Sequence, residues 1–473
     1  MALKIVVFPW LAFGHLLPFF ELTKSLAKKG NHIFFVSTPR NISRLPKVPQ
    51  NLAHLINFNE LQLPPTENLP QEAEATSDLP LNMVPYLKKA FDGLASPMNN
   101  LLQSLAPDWI ICDFAPHWLP PIAATLDVPC AFFSIFNAAS ISFFGPPSGL
   151  ISGGSRTKPE DFTVTPKWMP STSGLVFRTF EALRFFQEAI DGNVSGVSDG
   201  FRLGSMVLAC DVVFVRSCTR IEPECLSLLQ EKIYRKPVLP VGLLPPQLDS
   251  IEDVEDENWV KIKEWLDQQK RESVVYVAFG SEATLNQLEM TEIALGLELS
   301  ELPFFWVLRK PPGSTESILL PDGFEDRVKG RGIVWRGWVP QLSILSHLSV
   351  YGSLTHSGWS STIETLGFGF PLVLLPMVNE QALLARMLGR KNMGKEIPRN
   401  DEDGWFTREV VAKTLQMVMV DEEGEEYRSK ARELKTVIGD QVQQDLYIDG
   451  VVQYLNAHCR AKSGPEISLP DHA

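Results

Sequence analysis

The segment that most constrains the fold is residues 349–367, where an apolar run, a glycine-containing turn and a helical pattern follow one another. Ser349–Thr355 is predicted to be a buried strand, and His356-Ser-Gly-Trp359 is predicted to form the turn. The helix then runs from residue 360 to about Gly367. Unpaired backbone N–H groups and the positive end of a helix dipole converge at such a turn. The segment therefore predicts an α/β unit with an anion-binding site.

Further short apolar runs along the chain predict more buried strands. They are Lys4–Phe8, His32–Ser37, Trp109–Cys112, Cys130–Phe133, Val212–Val215 and Ser273–Phe279. A helix is predicted from about His15 to Lys29, with Gly30 at its end and Pro18 in its first turn, where proline is tolerated. Strands that alternate with helices indicate parallel sheets covered on both faces.

The chain is expected to form two domains, because its 473 residues exceed one ordinary core. Residues 237–246 are rich in proline and residues 249–257 are acidic, which is typical of an interdomain linker. We therefore predict an N-terminal domain at 1–240, a linker at 241–258 and a C-terminal domain at 259–445. A final segment, 446–473, is predicted to contain a helix at 446–458 and a frayed end.

Composition excludes several functional classes. A net charge of −13 without a basic stripe argues against nucleic-acid binding. The apolar N-terminus is interrupted by Pro9, Gly14 and His15 and has no small-residue cleavage site, so it predicts a strand, not a signal peptide. No apolar run is long enough for a membrane span. We expect a cytoplasmic protein with six free, reduced cysteines.

Side chains near the turn suit a nucleotide. Trp338 offers a flat face for a base, Glu364 could accept from ribose hydroxyls, and His356 could bond to a phosphate. Simpler explanations exist for each residue. Ser361 and Glu364 match a capping box that would only start the helix. Trp338 could fill a core, as we expect Trp335 to do, and the pair Glu380-Gln381 could be solvated loop residues.

Residues Trp338 to Gln381 resemble the signature segment of plant family 1 UDP-glycosyltransferases. The matching positions are Trp338, Pro340, Gln341, Ile344, Leu345, His347, Thr355, His356, Gly358, Trp359, Ser361, Glu364, Pro376, Glu380 and Gln381. The chain departs from the family in having Ser357 and Ser360 where Cys and Asn are usual. The second change removes an amide that helps to hold the phosphate or sugar in relatives.

The resemblance implies the GT-B fold: two facing Rossmann-like, doubly wound α/β domains with a cleft between them and a final helix that crosses back to the first domain. It implies a UDP-sugar donor that serves as co-substrate. The donor-binding residues would be Ser281, Trp338, Val339, Gln341, His356, Trp359, Ser360, Ser361, Glu364, Glu380 and Gln381. A terminal Gln is associated with glucose, so UDP-glucose is the first choice of donor, with UDP-rhamnose as the alternative.

The catalytic residues are also implied by the resemblance. Gly14-His15 followed by Pro18 matches the setting of the family's catalytic histidine, and the ordinary pKa of a histidine side chain suits a general base. Asp113 matches the aspartate that orients this histidine. Transfer would invert the anomeric centre and need neither metal nor cofactor. A metal-dependent transferase would be expected to carry an Asp-x-Asp pair beside the diphosphate, and none occurs in the signature segment.

The acceptor side is predicted from aromatic residues of the first domain, some in the cleft and most in the core. They are Phe13, Phe114, Trp118, Phe136, Phe143, Phe144, Phe185 and Phe186. The runs Val215–Cys218 and Ile221–Glu224 resemble the branch-forming subgroup, which extends a sugar already attached to a flavonoid or terpenoid. Asn137 and Glu282 would then contact the acceptor sugar.

Three alternatives remain. Within the class, the acceptor could be an aglycone instead of a glycoside. Outside it, the chain could be a noncatalytic small-molecule-binding protein on the same scaffold. A Rossmann oxidoreductase has little support, because no G-x-G-x-x-G followed by an acidic residue about 20 positions later occurs at a strand end. We expect a monomer.

Overall fold

The computed structural model describes residues 2–154, 156–190, 193–246, 257–280, 285–309 and 319–459. Within this part of the chain, the strands are β1 (Lys4–Phe8), β2 (His32–Ser37), β3 (Ile56–Glu60), β4 (Trp109–Cys112), β5 (Cys130–Ser134), β6 (Val212–Val215), β7 (Val238–Pro240), β8 (Val274–Ala278), β9 (Phe304–Leu308), β10 (Gly332–Arg336), β11 (Val350–Thr355), β12 (Leu372–Leu374) and β13 (Lys395–Glu396).

The helices of the first half are α1 (Phe13–Lys28), α2 (Pro39–Ser43), α3 (Val84–Asp92), α4 (Ala95–Leu105), α5 (Leu119–Thr125), α6 (Ala138–Phe144), α7 (Pro147–Ser152), α8 (Thr179–Phe185), α9 (Asp199–Ala209) and α10 (Pro223–Leu228). The second half contributes α11 (Glu257–Asp267), α12 (Gln287–Leu299), α13 (Phe324–Arg327), α14 (Gln341–Leu345), α15 (Trp359–Phe368), α16 (Gln381–Arg390), α17 (Arg408–Met419), α18 (Glu425–Gly439) and α19 (Gln441–Ala457).

The first sheet has the strand order β3-β2-β1-β4-β5-β6-β7, and every neighbouring pair is parallel. Strands β4, β5 and β6 are buried along their whole length, as expected for strands covered by helices on both faces. Alternate residues of β1 enter the two cores: Val6 and Phe8 face one, and Ile5 and Val7 face the other.

The second sheet has the order β10-β9-β8-β11-β12-β13 and is also parallel throughout. Numbered within its own half, this is the 3-2-1-4-5-6 order of a doubly wound nucleotide-binding fold. The predicted architecture of two Rossmann-like α/β domains is therefore confirmed. We call them the N-terminal and C-terminal domains.

The last helix belongs to the N-terminal domain. Ile448, Val451 and Leu455 of α19 pack in the core beneath β1 and β4. The indole Nε1 of Trp109 donates to the carbonyl of Leu455 at 3.0 Å, and Lys29 pairs with Asp449 at 2.6 Å. These contacts hold the last described helix against the first strands of the chain.

Some predicted boundaries shift by a few residues. Helix α1 begins at Phe13, so His15 lies within its first turn, and α15 begins at Trp359. The predicted final helix starts earlier, at Gln441. Most of the predicted linker, 247–256, and the predicted frayed end, 460–473, lie outside the described residues.

Two further expectations concern the cysteines and membrane-spanning helices. All six cysteines are free thiols. No helix in the described ranges is long and apolar enough to cross a membrane.

Candidate active site

Each sheet has one point where the strand order reverses, and the candidate residues gather at these two points. In the first sheet β1 and β4 are neighbours, and in the second β8 and β11 are neighbours. Loops leaving two such strands turn in opposite directions and open a crevice at the carboxyl edge of the sheet, where doubly wound folds bind ligands. His15 and Asp113 follow β1 and β4, and Gly280 and His356 follow β8 and β11.

His15 and Asp113 form a hydrogen-bonded pair. The Nδ1 of His15 lies 2.7 Å from Oδ2 of Asp113, whose side chain is 1% exposed against 12% for the histidine. The carboxylate is fixed by two backbone donors: the N–H of Trp10 reaches Oδ2 at 3.0 Å and the N–H of Phe114 reaches Oδ1 at 2.7 Å. The fold thus brings together two residues that lie 98 positions apart in the sequence.

The pair has a defined tautomer. A carboxylate only accepts hydrogen bonds, so Nδ1 of His15 carries the hydrogen and Nε2 is the basic nitrogen. The aromatic rings of Phe114 and Phe136 flank the imidazole, each with its centroid 5.7 Å away. Of the predicted acceptor wall, these two rings are the ones that the structure places against the histidine.

The turn after β11 is held by close packing around His356. Ser357 adopts a left-handed backbone conformation with φ of 67°. A Cβ on Gly280 or on Gly358 would lie 2.7 Å or 2.5 Å from Nε2 of His356, so only glycine leaves room for the ring. Desolvation lowers the pKa of His356 to about 4, although a hydrogen bond to the backbone carbonyl of Ala278 acts to raise it. The imidazole is therefore neutral at physiological pH and has one N–H, which can donate to that carbonyl or, in its place, to a ligand.

Helix α15 begins at Trp359 with Gly358 as its N-cap and no side-chain cap. Ser361 is the third residue of the helix, so the capping-box explanation for Ser361 and Glu364 is wrong. The backbone N–H groups of the first turn instead remain available to an anion, as at other helix N-termini.

Glu364 lies in a chain of polar side chains. Its Oε2 accepts from Nε2 of Gln341, whose Oε1 accepts from the hydroxyl of Tyr276 at 3.0 Å. Burial raises the pKa of Glu364 to about 7, although Gln341 and the positive charge of Arg216 act in the opposite direction. The charge of Glu21, in α1 of the N-terminal domain, raises this pKa further.

The tryptophans near the site have different positions. Trp338 is 64% exposed, so it does not fill a core, and its face is open to a base. Trp335 stacks on Phe305, as expected for a packing residue. The side chain of Val339 packs in the core beside Ile344, so only its backbone could contact a ligand.

Glu380 and Gln381 lie at the start of α16. The side chain of Gln381 is not a solvated loop group: it is buried, and its Oε1 accepts from the N–H groups of Met377 and Val378, both at 3.0 Å. These bonds fix the amide so that its oxygen faces the loop. Its –NH₂ group is the part that could then donate to a sugar hydroxyl.

Two of the predicted acceptor contacts are buried side chains. Phe143 is fully buried, with its ring against Phe177 and beneath the guanidinium of Arg156, so it is a core residue. Asn137 is 1% exposed, and its Nδ2 donates to Oε1 of Glu222 at 2.8 Å. The Glu222 carboxylate also accepts from the first backbone N–H groups of α6, so this buried cluster serves to start that helix.

The remaining aromatic candidates are buried or half-buried. Trp118 packs against Phe8 and Phe91 and donates its indole hydrogen to Asp92, which is a structural arrangement. Phe13 is half-buried beneath the guanidinium of Arg44. Phe144, Phe185 and Phe186 belong to a cluster of rings around Phe162.

The predicted contacts Ser281 and Glu282 lie outside the described residues. In the part of the chain that is described, no group of three or more His, Cys, Asp or Glu side chains could hold a metal ion. The chain does contain one Asp-x-Asp sequence, Asp401-Glu402-Asp403, after β13. Asp401 pairs there with Arg178, and Asp403 accepts from a backbone N–H of the same turn.

Arg216 joins the two domains at the site, and no sequence pattern singles it out beyond its place in Val215–Cys218. Its Nη1 donates to Oγ of Ser360 at 2.7 Å, and its carbonyl accepts from the indole Nε1 of Trp359 at 2.8 Å. The side chains of these two predicted donor contacts therefore hold the carboxyl edges of the two sheets together. The end of β6 faces the start of α15.

Comparison with known proteins agrees with this geometry. The family model described as UDP-glucoronosyl and UDP-glucosyl transferase matches residues 205–456, and one described as Glycosyltransferase, N-terminal domain, matches residues 2–111. UDP-glycosyltransferase 91C1 of Arabidopsis thaliana is 50% identical over 455 residues, which cover 96% of this chain and 97% of the relative. Soyasaponin III rhamnosyltransferase of Glycine max is 41% identical over 466 residues, 96% of each chain.

Among solved structures, Phytolacca americana UGT2 complexed with UDP-2fluoro-glucose and pterostilbene matches with a TM-score of 0.75. The identity is 25%, over 96% of this chain and 100% of that one. Two doubly wound domains and these matches together place the chain among the nucleotide-sugar glycosyltransferases of the GT-B class. The chain belongs to the plant family 1 UDP-glycosyltransferases, enzymes that transfer a sugar from a UDP-sugar to a small molecule of plant metabolism.

Proposed function

We propose that this enzyme transfers glucose from UDP-glucose to a hydroxyl of a plant glycoside, with His15 as the general base. The observation that carries the proposal is the His15–Asp113 pair at the reversal point of the first sheet. The acceptor hydroxyl gives its proton to Nε2 of His15 while its oxygen attacks the anomeric carbon. Asp113 holds the ring in the required tautomer and stabilises the imidazolium that forms.

The departing UDP takes the electron pair of the anomeric C–O bond. In this proposal its diphosphate lies at the first turn of α15, where backbone N–H groups and the neutral His356 donate to the developing charge. Base and leaving group lie on opposite faces of the sugar, so the anomeric configuration inverts. We propose that no metal or cofactor takes part, since these donors are the ones that supply the positive potential.

The uridine would stack on the exposed face of Trp338, and Glu364 would accept from the ribose hydroxyls. Gln381, with its –NH₂ group directed away from its own loop, would donate to the sugar. Glucose is favoured by the terminal Gln, as the family resemblance implies. Rhamnose is the second candidate, because a relative 41% identical to this chain is named a rhamnosyltransferase.

A glycoside acceptor is proposed on the resemblance to the branch-forming subgroup, and an aglycone remains the competing acceptor. The test offers UDP-glucose or UDP-rhamnose together with one acceptor, either bare or glucosylated. The mass of the product distinguishes the four combinations of donor and acceptor. A gain in mass confined to the bare acceptor would contradict the glycoside proposal.

The role of His15 is tested by His15→Ala. Loss of the base is expected to lower kcat by at least about a hundredfold while UDP affinity stays within about twofold of the wild-type value. His347→Ala is a matched control, because His347 also pairs with an aspartate, Asp267 of α11 at 3.0 Å, and its other ring nitrogen bonds to Ser349. Turnover by His15→Ala equal to that of the control would refute the proposed base.

A further inference from the structure

Arg216 is a buried cation at the junction of the two domains. It follows β6 directly, and only 2% of the residue is exposed. Its Nε donates to the carbonyl of Leu243 at 2.8 Å, Nη2 to the carbonyl of Leu244 at 3.3 Å, and Nη1 to Oγ of Ser360 at 2.7 Å. Its hydrogen bonds therefore go to neutral acceptors.

The charge of Arg216 is not balanced by an ion pair. No carboxylate in the described ranges forms a salt bridge with it, and Glu364 and Glu21 attract it only from a longer distance. Burial lowers the pKa of Arg216 to about 10, so the guanidinium remains charged at neutral pH. Removing an unpaired charge from water is costly, and proteins usually provide an anion for it.

The unbalanced charge lies where an anion is expected. Ser360 is the second residue of α15, and the preceding Trp359 donates to the carbonyl of Arg216, so both ends of the arginine are fixed against the first turn of this helix. The positive end of the α15 dipole lies at the same place. Two sources of positive potential, one from each domain, thus converge on one point.

We propose that Arg216 is the counter-charge of the donor diphosphate, contributed to the C-terminal site by the N-terminal domain and relayed through Ser360. The inference rests on the proposed UDP-sugar function. Because Oγ of Ser360 accepts from Arg216, its own hydrogen points elsewhere and can be donated to a phosphate oxygen. As the anomeric C–O bond breaks, the guanidinium then stabilises the charge that grows on the diphosphate.

The competing explanation is that Arg216 only holds the domains together. The two explanations differ in what they predict for ligands with and without phosphates. We therefore propose to measure the binding of UDP and of uridine to the wild type, Arg216→Met and Arg216→Lys. Arg216→Met is expected to lose at least about tenfold in UDP affinity while its uridine affinity changes by less than about twofold, and Arg216→Lys should recover part of the loss.

Two further variants complete the test. Ser360→Ala should show the same selective loss for UDP, and it carries the test if Arg216→Met does not fold. Arg386→Met removes another arginine that joins the domains, through Glu181 at 2.7 Å, and should leave the ratio of UDP to uridine affinity unchanged. Equal losses for both ligands in Arg216→Met or Ser360→Ala would overturn the inference. A wild type that binds neither ligand would instead refute the proposed donor.

Discussion

At the scale of single residues, Glu364 is notable because its protonation and its proposed ligand are coupled. Its pKa is raised to about 7 by burial, so below that pH the free protein holds this carboxyl mostly protonated. Ribose hydroxyls that donate to Glu364 would favour the ionised form and lower its pKa. Binding of the donor should therefore release a proton.

We expect UDP-glucose binding to release close to one proton per site near pH 6 and almost none above about pH 8. UDP-glucose is the suitable ligand because its phosphates have no ionisation in this range. Calorimetry in two buffers with different ionisation enthalpies measures the released proton. In Glu364→Gln the release should vanish and affinity should fall by about tenfold or more. Undiminished proton release in this variant would show that another group is responsible.

From the sequence, single candidate residues could be picked out only where a motif marks them. His15, Asp113 and the turn at His356 were picked out because they match the pattern of the family that the chain resembles. Arg216 was not picked out, because the acceptors of its side-chain hydrogen bonds lie 27, 28 and 144 positions away and no local pattern marks them. The burial of Phe143 has a related cause: the sequence shows an aromatic residue but not that the whole of α6 is buried.

At the scale of elements, the turn between β11 and α15 depends on glycine in a neighbouring element. Gly280, just after β8, has φ of +76°, and a Cβ there would lie 2.7 Å from Nε2 of His356. The two strands that precede these residues are paired directly. The shape of the turn proposed to bind the diphosphate is therefore set jointly by two loops.

Gly280→Ala should displace the His356 ring and lower UDP affinity by about tenfold, in addition to a backbone strain of about 1 kcal/mol. Gly30→Ala is the matched control, because Gly30 has a similar φ of +84° but a Cβ added there would meet no atom within 4 Å. Both variants should lose stability through the same backbone strain, measured by thermal unfolding. Comparable UDP affinity in the two variants would contradict the proposed role of the packing.

The positions of strands were predicted more accurately than single residues or contacts between the domains. Buried parallel strands are continuous apolar runs, and four of those predicted, β1, β2, β4 and β6, have the predicted bounds. Helix starts were less certain, because a serine followed three residues later by a glutamate suggested a cap at Ser361. The chain uses Gly358 instead, and glycine as an N-cap leaves no side-chain signature.

At the scale of the whole molecule, a network of ion pairs joins the domains away from the site. Arg386 of α16 bonds to both oxygens of Glu181, at 2.9 and 2.7 Å, and to both oxygens of Glu396. Arg178 bonds to the same two carboxylates and to Asp401. The sequence could predict two domains but not this contact, which depends on residues more than 200 positions apart.

Arg386→Met should lower the midpoint of thermal unfolding by roughly 5 °C, because it leaves two partly buried carboxylates sharing one arginine. Arg327→Met is the control: Arg327 forms a more exposed pair with Glu298 inside the C-terminal domain, and its loss should cost less than about 2 °C. Equal shifts in the two variants would mean that the interdomain network contributes no more than a surface pair.

The return of α19 to the N-terminal domain has a practical consequence for recombination between relatives. Exchanging acceptor halves at a single junction near residue 250 would leave a foreign terminal helix against Trp109 and the strands beside it. A chimaera that respects the packing needs a second junction, between α18 and α19 near Asp440, so that the opening and closing stretches of the polypeptide come from the same parent.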